Sequence, residues 1–125
     1  MNKYHSLVLL YNSTKNEYLK EVLISQNIFS TDEWTCIEEG KVNIGMSELS
    51  VLASIGSPID TKTEYKIDEE TYMNIKFVHD IHQITDNSLL HIFYKNDNVF
   101  LIVDELKNIE EYKQKIWFLK ENLNA

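Results

Sequence analysis

Four histidines, one cysteine and several runs of adjacent acids are the residues in this sequence that could do chemistry. His79 and His82, with Asp80 between them, make the one candidate metal cluster. A metal site needs several ligands converging on a point. Residues three apart on a strand point to opposite faces, and no Cys or further His stands close by in sequence to complete the set. His5 and His91 lie singly in apolar segments that read as strands, where a satisfied core histidine is expected rather than a ligand. Cys36, beside Ile37 and near Trp34, reads as a small buried hydrophobe. Glu38-Glu39 and Asp68-Glu69-Glu70 are adjacent carboxylates. General acid-base work needs two environments that drive pKa values apart, whereas neighbouring acids at a helix end or turn tip share one solvated environment. The chain has no phosphate-cradling glycine loop, no G-x-S-x-G and no H-E-x-x-H. No enzymatic activity, cofactor or metal is expected.

Charge is more informative than motif. The formal net charge is −8, and residues 31–70 hold ten acids against three lysines. The acidity is therefore regional. All the basic residues are lysine, so the bidentate guanidinium fork that phosphates and base edges favour is missing. Nucleic acid is disfavoured as a partner by sign and by residue type. A basic protein is the expected partner for such a surface, the expected contact residues being Asp32, Glu33, Glu38 and Glu39 on one segment and Asp68, Glu69, Glu70 and Tyr72 on another. The alternative is that the charge only maintains solubility.

The elements that must position these residues are organised around residues 39–59, EGKVNIGMSELSVLASIGSPI, which contain all three glycines and the only proline. Ser47 is placed as an N-cap, with Met46 and Val51 at the positions of a hydrophobic staple. Gly56 is placed to close the helix in a left-handed conformation and Pro58 to block its continuation, which predicts a helix over 48–55. The pattern Trp34, Ile37, Lys41 to Met46, Val51 and Gly56-Ser57-Pro58 resembles the SmpA/OmlA-like small lipoprotein family. The hairpin segment Leu90 to Val103 extends the likeness loosely. The resemblance implies two small helices on a three-stranded antiparallel sheet, a fold shared with the β-lactamase inhibitor protein. Neither a signal peptide nor a lipid-carrying cysteine is expected near the start, which departs from that family, and whether Met1 is the native start is left open.

Around this stretch, residues 4–11 are apolar and short, consistent with a buried strand or the start of a helix, with the strand favoured. Ser13 or Thr14 would cap a helix over 15–26 facing inward through Leu19, Val22, Leu23 and Gln26. Ser30 and Glu33 have capping-box spacing, predicting a helix over 31–39 that stops at Gly40, buries Trp34 and Ile37, and points Glu33, Glu38 and Asp32 outward. Strands are expected over 61–67 and 71–79, with 68–70 as the turn and 80–87 as loop. Residues 88–95 and 99–103 read as a hairpin about Asn96-Asp97-Asn98 with both faces apolar. From Asp104 to Leu123 a three- and four-residue apolar spacing predicts a long amphipathic helix, with Trp117 and Phe118 off its stripe.

These readings combine into a single α+β domain of 125 residues: two short helices and a C-terminal helix packed on an antiparallel sheet of three to four strands. No apolar run approaches the roughly eighteen residues of a membrane span. One cysteine and the lack of a signal sequence make the cytoplasm the expected location, with no membrane association. The expected function is a cytoplasmic immunity or inhibitor protein that neutralises a basic toxin, such as a nuclease, by occlusion. The alternatives are an assembly or structural module of the SmpA/OmlA-like kind, and a small-molecule binder or uncharacterised enzyme using the face with Tyr72 and the histidines. Partner identity, oligomeric state and the exposed sheet face are left open by the sequence.

Overall fold

Helical spacing, not strand alternation, organises the N-terminal apolar run. In the computed structural model, which describes residues 3–86 and 88–104, the first element is helix α1, His5–Thr14. Val8 and Tyr11 are buried, Tyr4 and Leu7 pack beside them, and Leu10 faces out, which is the three- and four-residue pattern of one helix face. The strand reading of residues 4–11 is thereby overturned, and His5 is a helical residue. Ser13 and Thr14 belong to the last turn of α1, where both hydroxyls donate back to the Leu10 carbonyl at 3.0 and 2.8 Å. They do not cap the next helix. That cap is Asn16, whose side chain accepts from the N–H groups of Tyr18 and Leu19 at the start of α2, Glu17–Ser25.

Helix α3, Thr31–Glu39, begins with the expected capping box between Ser30 and Glu33 and ends at Gly40 in the left-handed region. Helix α4, Glu48–Ile55, has the predicted bounds and the predicted Ser47 cap, which accepts from the Ser50 N–H. Gly56 ends it with positive φ but extended ψ (85°, −164°), so it is not the left-handed cap expected. This region of backbone is essentially restricted to glycine. The four helices enclose a core of Val8, Tyr11, Leu23, Phe29, Ile37, Leu52 and Ala53. Trp34 stands edge-on to Phe29 and Tyr11, at 5.3 and 6.0 Å between ring centroids. Asn12 donates to the Ala53 carbonyl at 3.0 Å and so ties α1 to α4.

The second half is an antiparallel sheet in the order β1-β2-β3-β4: β1 Asp60–Ile67, β2 Asn74–Thr85, β3 Ser88–Lys95 and β4 Asn98–Asp104. Residues 80–85 are not loop. β2 continues through them, with Val78, Asp80 and His82 alternating onto one buried face. Asp80 is tolerated there because Thr61 on β1 donates its hydroxyl to it at 2.7 Å. Tyr72 and Met73 are not in the strand and belong to the preceding turn. The β3–β4 connection is a two-residue turn, Asn96-Asp97, with both φ angles positive, the geometry whose twist matches a hairpin. Consecutive residues His91, Ile92, Phe93 and Tyr94 are all buried, so both faces of this hairpin are covered, as the sequence requires.

The α+β class is as expected. Contacts divide the chain into two compact units, Met1–Ser57 and Pro58–Ala125, meeting in sequence at the Ser57-Pro58 link. The helix expected over 104–123, with Trp117 and Phe118, lies outside the described residues. No helix among the described residues is long and apolar enough to cross a membrane.

Candidate protein-docking site

The turn between β1 and β2 holds four of the eight proposed contact residues in one small structure. Asp68 closes it: its N–H donates to the Met73 carbonyl at 2.9 Å, its own carbonyl accepts from the Tyr72 N–H at 2.8 Å, and its Oδ1 accepts from the Glu70 N–H at 2.8 Å. The last of these is an Asx-type bond that turns the chain locally. Tyr72 occupies the position where such a loop reverses handedness, with φ of 58°. A tyrosine there costs about 1–2 kcal/mol relative to ordinary backbone, because its Cβ crowds the carbonyl that glycine would leave clear. Its side chain is 84% exposed, and that of Met73 beside it is 67% exposed. The turn thus presents an aromatic ring and a thioether to solvent between Glu69 and Glu70 on one side and the strand on the other, with the backbone bonded into place. Among the described residues no ion pair neutralises Asp68, Glu69 or Glu70.

The acids of α3 are differently placed. Asp32 is exposed in the first turn. Glu33 does not point outward: one carboxylate oxygen accepts from the Ser30 N–H, while the other accepts from the N–H and hydroxyl of Ser47, both at 2.9 Å. Burial alone would raise its pKa, but the N–H groups of Ser47 and Ser30 and the hydroxyls of Ser50 and Ser47 outweigh it and hold the carboxyl below its ordinary value. Glu33 is therefore a clamp joining the starts of α3 and α4. Glu38 pairs with Lys20, and Glu39 with Lys41 at 3.2 Å, so both carry local counter-charges. The α3 acids lie in the helical unit and Asp68, Glu69, Glu70 and Tyr72 in the sheet unit.

The histidines form a pair that sequence reading did not identify. His79 and His82 do point to opposite faces, as their spacing requires. His79 instead meets His91 across β2 and β3, ring nitrogens 2.8 Å apart, and stacks on Phe93 at 4.3 Å. The signal was present in the period-two pattern of 78–82, but it shows only once residues 80–85 are recognised as strand. Burial, the neighbouring His91 and Lys62 push the His79 pKa down to about 4, against a smaller opposing effect of Asp60. His82 is 1% exposed with no hydrogen-bond partner for either ring nitrogen among the described residues, and burial lowers its pKa to about 4. Among the described residues no group of three or more His, Cys, Asp or Glu side chains is arranged to hold a metal. His79 thus stacks on both His91 and Phe93 in an aromatic cluster spanning β2 and β3.

Comparison with protein-family models, curated proteins and solved structures finds no match to this chain.

Proposed function

We propose that this chain is a protein-binding module, and specifically a cytoplasmic immunity or inhibitor protein that covers the working surface of a basic toxin such as a nuclease. The observation that carries the reading is the Asp68–Met73 turn: three acids with no ion-pair partner among the described residues, beside an exposed tyrosine held in a left-handed conformation. Exposed aromatic and thioether groups give the desolvated centre that interface energetics favour. Acids around them steer a cationic partner and set its orientation. Backbone strain concentrated at an exposed side chain is common where presentation matters more than stability.

The test is binding to the product of the adjacent gene, since immunity genes sit beside their toxins. Reversing Glu69 and Glu70 to lysine is expected to slow association about tenfold at low ionic strength and to flatten its salt dependence. Unchanged association would remove the turn from the interface. A second reading, an assembly module of the SmpA/OmlA-like kind, draws on the α3–α4 segment, where the similar residues fall on a helix, a link and a helix fastened by Glu33. Under that reading, reversal at Glu38 and Glu39 is the disruptive change and reversal at the turn is silent.

A further inference from the structure

Strand β1 lies at the edge of the sheet among the described residues, and seven of its eight residues are exposed. An edge strand offers unpaired N–H and C=O groups to any second strand, and natural edges are commonly protected by charged side chains, by proline or by a bulge. The charges of β1 alternate in sign, so they repel a strand of like pattern in some registers and attract it in others. Asp60, Lys62, Glu64 and Lys66 occupy one face in the order minus, plus, minus, plus, while Thr61, Thr63, Tyr65 and Ile67 occupy the other.

We infer that two copies of this chain pair through their β1 edges as an antiparallel, two-fold symmetric ribbon centred on Thr63. In a continuous sheet, residues directly opposite share a face, and a two-fold axis at Thr63 then fixes every pair. Asp60 faces Lys66 of the second copy and Lys62 faces its Glu64, with the same two pairs repeated by symmetry. On the other face Thr61 meets Tyr65 and Thr63 meets itself. Ile67, exposed at 66%, lies at the end of the ribbon on that same face. The adjacent registers are excluded by charge: centring on Lys62 sets it against itself and Asp60 against Glu64, and centring on Glu64 sets Lys62 against Lys66. Centring on Thr61 or Tyr65 shortens the overlap and leaves fewer charge pairs. The occupant of this edge is thus a second copy, because the sequence of the strand is complementary to its own reverse. The inference does not depend on what binds the Asp68–Met73 turn.

Sedimentation velocity of the full chain over a range of micromolar concentrations tests it. The expected result is a reversible doubling of mass. Lys62→Glu alone, or Glu64→Lys alone, places like charges opposite each other twice per dimer and weakens self-association by about tenfold. Mixing these two variants restores association as a heterodimer, because each reversed residue then faces its complement. The double variant Lys62→Glu/Glu64→Lys restores it as a homodimer, and so checks the register even where a single variant folds poorly. A monomer at every concentration, which would leave the edge to a strand of another protein, overturns the inference. So does a dimer indifferent to the single reversals or not restored by mixing.

Discussion

Tyr72 and His82 show opposite uses of an unfavourable position. Tyr72 sits at a positive φ that glycine would adopt freely, with its ring in solvent, so nothing in the fold itself requires a tyrosine. Tyr72→Gly is predicted to raise stability by up to about 1 kcal/mol while weakening partner binding about tenfold, as read by thermal unfolding beside titration with the partner. A loss of stability with unchanged binding would make the residue structural. His82 has no such outward role. Because its folded pKa of about 4 lies below the ordinary 6.5, the unfolded chain binds the proton first as pH falls, and stability is lost between about pH 6.5 and 4. From pH 7 to pH 5 this group alone is expected to remove about 2 kcal/mol. In His82→Leu that part of the acid sensitivity should vanish and stability at pH 7 should not fall, since two buried nitrogens with no partner among the described residues are removed. Urea unfolding at the two pH values measures both, and an unchanged pH dependence in the variant would contradict the assignment.

At the scale of elements, the helix-link-helix of α3 and α4 was legible because its signals are local: a capping box, a serine cap and glycines at both ends. Glu33 reaching Ser47 was not, because a bond between residues fourteen apart has no local signature. Glu33→Ala is predicted to cost about 2 kcal/mol in chemical unfolding, from two helix starts losing charge-assisted bonds together. Since its carboxyl is held below the ordinary range, that contribution is present above about pH 4.5 and is lost as pH falls through the folded value. At the other end of α4, a Cβ added to Gly56 would stand 3.0 Å from the Asn12 side-chain oxygen, in backbone that L-residues avoid. Gly56→Ala should therefore cost about 1–3 kcal/mol. The elements misread were those where the local pattern is ambiguous. An eight-residue, mostly apolar segment fits α1 as well as a strand, and the polar letters of residues 80–85 conceal a strand whose buried Asp80 is satisfied by Thr61 of another strand. The turn at 68–70 was legible as an acidic surface, but the left-handed Tyr72 was not, since tyrosine is a strand former by composition and sits at this φ only because Asp68 closes the loop around it.

At the scale of the molecule, the net charge of −8 and the three acids on the β1–β2 turn, which have no ion-pair partner among the described residues, support the proposal of contact with a basic protein, guided by charge and completed by Tyr72 and Met73. The most direct measurement of the central claim is the association rate between this protein and the neighbouring gene's product, taken across ionic strength for the natural sequence and for Glu69→Lys/Glu70→Lys. The account predicts fast, strongly salt-dependent association that drops about tenfold and loses most of its salt dependence in the variant, with the melting temperature preserved. Equal rates for the two proteins at every salt concentration, or no association by the natural sequence, would contradict it.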